Sequence, residues 1–208
     1  EEPSVLTVPF DSSYRSANFN FKGGAGKFEF GGITGDLVKI IASGTSRDIN
    51  YTVSDDGKSV DVSYKFDTKS KFFKGIHKER EAEINLNPDL HWDLFMKVGA
   101  SDIECDLSEY MVRNVEVKAG AADIELKIGN RNDSTNIEVE AGASNFEISV
   151  PKTSGCAISS ETGLSNRDFY GFTSYGDGKY KTPEFNESKK KVFIKISGGV
   201  SNFEVERY

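Results

Sequence analysis

The 208-residue sequence has few of the residues that most often build catalytic and metal sites. It contains two histidines, two cysteines and one tryptophan. His77 and His91 stand in no spacing typical of zinc ligands, and no Gly-x-Ser-x-Gly nucleophile elbow occurs. The sequence therefore predicts no catalytic residue, no metal site and no cofactor.

Long apolar runs and an excess of positive charge are also missing. No run of about 18 apolar residues is present, so no membrane-spanning helix is predicted. The formal net charge of −7 argues against general nucleic-acid binding, which needs a basic face. Cys105 and Cys156 lie about two repeats apart, beyond disulfide reach, and are predicted to be free thiols in the core.

What the sequence does contain is a repeated glycine motif. Each glycine is followed by mostly small residues, an Asp, Asn or Lys three positions on, and usually a Glu five positions on. From the second copy the glycines follow at intervals of 21, 22, 21 and 36 residues, which indicates a period of about 21 with one insertion. The six copies begin at Gly24, Gly99, Gly120, Gly142, Gly163 and Gly199.

Apolar and polar residues alternate on both sides of each glycine. Around Gly120, for example, the apolar positions are Val115, Val117, Ile124 and Leu126. Period two with one apolar face is typical of half-buried strands, and such strands must stack to bury that face. The predicted fold is all-β: a single-stranded β-solenoid, a β-helix-like stack of coils that each turn at a glycine corner.

We expect residues 1–208 to form one domain. Irregular N-terminal coils are predicted for 1–81, with an edge strand at 5–8 and a hairpin at 49–64. Regular coils are predicted for 82–208, interrupted by an exposed insertion at about 168–191 that is rich in turn-forming residues.

Glutamates five positions after the glycines are predicted to share one outward column. Neighbours about 5 Å apart would match the carboxylate separation of a retaining glycosidase. An active site needs one special pair, however, whereas this column recurs in nearly every coil. We therefore expect a solvated row beside Lys97, Lys118 or Lys127, with weak cation binding and glycan cleavage as the alternatives. The members are Glu29, Glu104, Glu125, Glu147 and Glu204.

A second polar column stands three positions after the glycines. Short Asp and Asn side chains at turns commonly hydrogen-bond the nearby backbone. We therefore expect this column to bond the corner backbone. Its members are Asp102, Asp123, Asn145, Asn166 and Asn202.

Residues 65–80 interrupt the repeat and carry six basic residues against two acidic ones. Basic residues around an aromatic pair suit an anionic membrane surface or an acidic polymer. The alternative is a solvated loop whose phenylalanines plug the solenoid. The candidate partner-binding residues are Lys69, Lys71, Phe72, Phe73 and Lys74.

The C-terminal insertion is dense in aromatic residues. Such rings can form a platform for sugar rings or a partner peptide, or a flap that covers the core. The candidate partner-binding residues here are Tyr170, Phe172, Tyr175 and Tyr180.

Several passages resemble the bacterial toast-rack domain, as found at the C-terminus of Lia-type cell-envelope-stress regulators. They lie at 84–88, 92–94, 99–102 and 150–155, and the closing residues 192–200 are similar to the final coil of that domain and of the putative-adhesin β-solenoids. The resemblance covers most of the chain and is strongest over 82–208. It implies an exported or membrane-linked domain, sometimes with a signalling role, and no defined catalytic residues.

We therefore predict a non-catalytic binding or scaffolding module of a bacterial envelope-associated protein, regulatory in envelope stress by analogy. A surface adhesin or carbohydrate-binding protein is the second hypothesis, and a polysaccharide-cleaving β-helix enzyme the third. The expected partners are a protein, a cell-envelope component or an anionic membrane surface, and not nucleic acid. We expect a location in the cell envelope or outside the cytoplasm, tethered through a segment beyond this sequence, with the cytoplasmic face of the membrane as the alternative.

Overall fold

The computed structural model describes residues 3–43, 48–66, 81–162 and 166–208. All regular structure in these ranges is β, in one sheet of sixteen strands, which confirms the predicted fold class. The strands are β1 Ser4–Val8, β2 Ser16–Ile33, β3 Val38–Ala42, β4 Asp48–Val53, β5 Ser59–Phe66, β6 Glu81–Leu86, β7 His91–Leu107, β8 Met111–Ile128, β9 Ser134–Ala141, β10 Asn145–Val150, β11 Gly155–Thr162, β12 Asn166–Phe169, β13 Thr173–Ser174, β14 Lys179–Lys181, β15 Lys191–Gly198 and β16 Asn202–Arg207.

Parallel pairing brings the repeats into register. Strands β2, β7 and β8 each run through a whole repeat, and β7 pairs in parallel with both of the others. The pairing places Lys27 beside Asp102, and Asp102 beside Asp123, so equivalent motif positions face one another. Each coil thus consists of a first strand, a glycine corner and a second strand, and it hydrogen-bonds to the coils above and below.

The core lies between the first and second strands of the stacked coils. The four residues predicted to point inward around Gly120 are no more than 2% exposed. One end of the core is filled by rings: Phe21 lies 4.8 Å from Phe28, 5.5 Å from Phe30 and 5.9 Å from Tyr64, between ring centroids. The fold is stabilised by apolar burial along the whole of this narrow core, because no single coil can bury its apolar face alone.

The order of stacking differs from the order of the chain at both ends. Strand β15 lies between β9 and β11, and β16 lies between β10 and β12, so the last repeat is inserted between the two that precede it. At the other end β2 lies between β7 on one side and both β5 and β6 on the other. The sixteen-stranded sheet is therefore not built by simple winding from one end.

The positions of the two cysteines show the effect of the inserted repeat. Both thiols are buried and free, as predicted. Cys105 lies in β7 and Cys156 in β11, four coil steps apart, because the inserted repeat adds one step to the three of chain order. The predicted separation of about two repeats was too short. Burial raises the pKa of both thiols, so neither is activated as a nucleophile.

The glycine corners stack so closely that a side chain would not fit. A Cβ added to Gly99 would lie 2.9 Å from the Gly24 carbonyl oxygen, and one added to Gly142 would lie 2.8 Å from that of Gly120. The small residues of the motif are therefore required by contact between successive corners.

Serines, and not the Asp and Asn column, bond the corner carbonyls. Ser101 Oγ donates to the Gly24 carbonyl at 2.8 Å. In the column predicted to make such bonds, Asn145 Nδ2 donates instead to Asp123 Oδ1 at 2.6 Å, and Asn202 Nδ2 to Asn145 Oδ1 at 2.8 Å. That prediction was wrong because an outward side chain on an extended strand lies opposite its equivalent on the next strand, not above the corner.

The irregular elements that were predicted are present at the ends of the stack. Strands β4 and β5 form the expected antiparallel hairpin, with Gly57 at φ 69° in its turn, and β1 is an edge strand on β3. In the C-terminal insertion β13 and β14 form a short hairpin whose turn contains Gly176, Asp177 and Gly178, all with positive φ.

The assignment of faces predicts opposite effects for two neighbouring substitutions. Ile124→Asp would place an unpaired charge at a position that is 2% exposed, and it should unfold the protein or destabilise it by more than about 4 kcal/mol. Glu125→Gln, on the outer face, should change stability by less than about 0.5 kcal/mol. Urea unfolding measures both variants. Tolerance of Ile124→Asp, together with a large loss of stability from Glu125→Gln, would show that the faces are reversed.

Candidate functional site

A groove of about 760 Å³ lies on the outer face of the first strands, where the C-terminal insertion meets the sheet. It crosses the columns that point outward by alternation. The strand register aligns one column in the order Phe95, Glu116, Glu138 and Lys195. It aligns the other in the order Asn114, Asn136 and Phe193. The insertion contributes Lys179, Tyr180, Lys181 and Phe185.

Two phenylalanine rings give this groove an apolar surface. Phe193 occupies an outward position and is 39% exposed, and its ring centroid lies 5.7 Å from that of Phe185, edge to face. Lys191 Nζ lies 4.6 Å and Lys181 Nζ 5.0 Å from the centroid of the Phe185 ring. These cation–π contacts hold the Phe185 ring in place beside Phe193.

A ladder of polar side chains leads to the same rings. Asp93, which is buried and paired with Arg113, accepts a hydrogen bond from Asn114 Nδ2 at 2.6 Å. Asn114 Oδ1 in turn accepts from Asn136 Nδ2 at 3.1 Å, and Asn136 stands beside Phe193 in the register. The groove therefore combines rings that can stack with amides and carboxylates of fixed orientation.

This groove was not predicted from the sequence. Phe185 lies in the predicted aromatic insertion but is not among its candidate residues, and neither Phe95 nor Phe193 was singled out. A signal was present, because both Phe95 and Phe193 are apolar at positions where alternation requires a polar residue. Their place in the same groove could not be inferred, since it depends on β15 lying next to β9.

The predicted acidic column is present and longer than predicted. We call it the acidic row: register aligns two further carboxylates with the five expected ones, and a cleft of about 410 Å³ lies along part of it. In order of stacking its members are Glu83, Glu29, Glu104, Glu125, Glu147, Glu204 and Asp168.

Of the three lysines predicted beside the acidic row, Lys127 lines the same cleft, and Lys27 is an additional cation that was not predicted. Lys27 Nζ lies 3.1 Å from Glu29 and 2.9 Å from Glu104, whereas Lys127 binds Asp106 at 3.2 Å. Lys97 and Lys118 lie on the first strands, on the other outer face, so their expected place beside the row was wrong. They precede the glycine corner, and the bend of the chain there turns their column away from the row.

Glu147 shows the effect of burial and of the neighbouring negative charges. Partial burial, together with the charges of Glu125, Glu204 and Glu206, raises the pKa of its carboxyl group. Glu29 and Glu104 share a lysine instead. Across the residues that the structure describes, no group of three or more His, Cys, Asp or Glu side chains is arranged to hold a metal ion.

Four of the sequence-predicted partner residues lie in the described part of the chain, and these four differ in exposure. Tyr170 is 57% and Tyr175 66% exposed, whereas Phe172 and Tyr180 pack partly buried against the core. Of the four, only Tyr180 lines the groove. The other five candidates, Lys69, Lys71, Phe72, Phe73 and Lys74, lie outside the described residues.

The family of the chain follows from a match that covers most of the solenoid. The family model described as the N-terminal domain of toast_rack, DUF2154, matches residues 4–149. The chain belongs to the toast-rack family. This confirms the resemblance read from the sequence, although the matched range includes the N-terminal coils and not only the regular ones. Among curated proteins no relative matches.

Two solved structures are similar to this toast-rack chain. A crystal structure described as that of a "putative cell adhesion protein", from Clostridium sporogenes ATCC 15579, has a TM-score of 0.86 at 24% identity and covers 100% of this chain and 99% of its own. That likeness shows the fold. A "putative adhesin" from Bacteroides fragilis NCTC 9343 has a TM-score of 0.33 at 13% identity, over 96% of this chain and 95% of its own. In the described part of the toast-rack chain, no helix has the length and apolarity to cross a membrane.

Repulsion within the acidic row predicts a pH-dependent gain from one neutralising substitution. The folded pKa of Glu147 is raised above its ordinary 4.5. The folded state therefore loses stability as pH rises from the ordinary pKa through the folded one. Glu147→Gln should therefore raise the melting temperature at pH 7, and the gain should vanish below about pH 4.

The matched control is Glu104→Gln, which removes a carboxylate that Lys27 already neutralises. It should give no such gain. Thermal unfolding followed by circular dichroism measures both variants, and a lower melting temperature for Glu147→Gln at pH 7 would contradict the electrostatic explanation.

Proposed function

We propose that this toast-rack domain is a non-catalytic binding or scaffolding module of an envelope-associated bacterial protein. The observation that carries the proposal is the groove, in which an exposed Phe193 ring stands beside the end of an ordered amide ladder. A register-locked stack holds these groups at fixed positions, which limits the entropy lost when a ligand binds.

The carboxylates of the groove support binding better than catalysis. Glu116 and Glu138 are neighbours in the register, as a retaining glycosidase pair would be. Glu138 is paired with Lys195 at 2.9 Å, however, and Glu116 with Lys118 at 3.2 Å. Both carboxylates are therefore held in ion pairs instead of standing free on the two sides of a substrate bond, as a catalytic pair must.

Carbohydrate binding, as in an adhesin, is the second candidate function. Sugars present an apolar C–H face to aromatic rings and hydroxyl groups to planar amides and carboxylates, and the groove supplies both kinds of group. The similar Clostridium sporogenes protein is described as a putative cell adhesion protein. For the present chain, adhesion is proposed on the strength of the groove.

We also propose an envelope location, and a regulatory role in envelope stress by analogy with Lia-type proteins. The basic segment 65–80 remains our proposed contact with an anionic membrane surface, because its six basic residues outnumber its two acidic ones. This contact requires that the protein co-sediment with anionic vesicles. The co-sedimentation should be lost when four lysines are changed to Gln: Lys69, Lys71, Lys74 and Lys78.

A polysaccharide panel tests the groove and the absence of catalysis together. The protein should bind one or more glycans without releasing reducing ends, and Phe193→Ala should weaken that binding about tenfold. Tyr51→Ala is the matched control, since this ring is 46% exposed at the other end of the stack, on β4. It should leave affinity unchanged.

Two results would contradict the proposal. Equal loss of binding in the Phe193 and Tyr51 variants would show that the groove does not hold the glycan. Release of reducing ends that is abolished by Glu125→Gln, but not by Glu104→Gln or Glu147→Gln, would establish one special carboxylate and promote the glycan-cleaving hypothesis.

A further inference from the structure

The outer face of the first strands carries a column of four lysines, which we call the lysine row. Register places one lysine on each of four successive strands, β5, β2, β7 and β8, and all four side chains are exposed. In order of stacking they are Lys65, Lys22, Lys97 and Lys118.

Such a column is unfavourable in the isolated protein. Strands in a sheet lie about 4.8 Å apart, and like charges directly opposite each other on neighbouring strands destabilise the pairing. Lys118 is neutralised by Glu116 at 3.2 Å and by Glu140 at 3.4 Å. Within the described ranges Lys22 and Lys97 have no carboxylate partner.

The outward residues next to these two lysines along their own strands are uncharged. Two positions before them in the chain stand Asn20 and Phe95, and two positions after them stand the corner residues Gly24 and Gly99. The corner is made of small residues, so one side of the lysine row is left without large side chains. An elongated ligand could lie there against the ammonium groups.

We propose that the lysine row binds a linear polyanion, with phosphate or carboxylate groups, that lies along the stacking axis. The row is one residue wide and spans three strand spacings, about 14 Å, which suits a chain of charges better than a flat surface. Ammonium groups bind such anions as point charges and need no fixed angle.

A second copy of the protein is the competing occupant, because its acidic row has the same spacing. Net charge opposes that arrangement. Each copy carries −7, so two copies repel each other at long range, and screening by salt would have to overcome this repulsion before the rows could meet. A polyanion would be repelled from most of the protein in the same way, which confines it to the lysine row.

The test uses the whole chain with two polymers and their monomers. Inorganic polyphosphate and polygalacturonate, each long enough to span the row, are titrated against the protein at matched charge with orthophosphate and galacturonate. At least one polymer should bind much more tightly than its monomer, and added salt should weaken the binding. The polymer that binds identifies the anionic group.

The decisive variant is Lys22→Gln with Lys97→Gln, for which we expect a loss of affinity of about tenfold or more. Lys152→Gln with Lys189→Gln is the control, since both lysines are exposed and the change in net charge is the same. The control should bind nearly as the wild type does. Thermal unfolding should show that neither variant is less stable, because both only remove surface cations.

Several outcomes would overturn the proposal. The first is that neither polymer binds. The second is that the Lys22/Lys97 variant and the control bind with equal affinity, and the third is that binding is insensitive to salt. Binding to anionic vesicles that is lost in the Lys22/Lys97 variant, without binding to either polymer, would assign the face to a membrane. Self-association in sedimentation experiments, lost in the Lys22/Lys97 variant, would assign it to a second copy.

Discussion

Close contact between glycine corners is the constraint on which the rest of this structure depends. The carbonyl oxygen of one corner glycine lies too close for a Cβ on the next, as between Gly24 and Gly99, where the separation would be 2.9 Å. The contact favours one register between the coils whose corners the structure describes, and a slip of one residue would turn the apolar face of a strand toward solvent. Fixed register has a second consequence, because it gathers equivalent outward residues into columns. The acidic row and the lysine row are both products of this stacking.

Columns of like charge make the surface of the solenoid unusual. Like charges directly opposite each other on neighbouring strands are destabilising, and here such repulsion accumulates over several coils. The protein relieves it at particular points: Lys27 bridges Glu29 and Glu104, and Glu140 ends the lysine row beside Lys118. Where relief is missing, as at Glu147 or at Lys22 and Lys97, the surface is most prone to take up a proton or a counter-charge. Interaction sites are therefore expected where a column is interrupted or left unneutralised.

Much of this could be predicted from the sequence, because alternation and the glycine motif act locally. The inward residues around Gly120, the acidic row and the β4–β5 hairpin all followed from spacing. The stacking order did not, since β9 presents the same kind of edge to β15 as it would to β11, and alternation is satisfied by either pairing. The groove depends on that choice and was missed with it. The Asn column was misassigned for another reason: the motif resembles a turn in sequence, but its third residue already belongs to an extended strand.

The position of the last repeat, inserted between the two before it, can be tested by cysteine cross-linking. Glu204 pairs with Glu147 on one side and with Asp168 on the other, at strand spacings that fall within disulfide reach. Under mild oxidation, a chain with Glu147→Cys and Glu204→Cys should form a disulfide, since the native thiols are buried. A chain with Glu147→Cys and Asp168→Cys should stay reduced, because β16 lies between these positions. A disulfide between positions 147 and 168, with none between 147 and 204, would show that the repeats stack in chain order and would contradict the inserted arrangement.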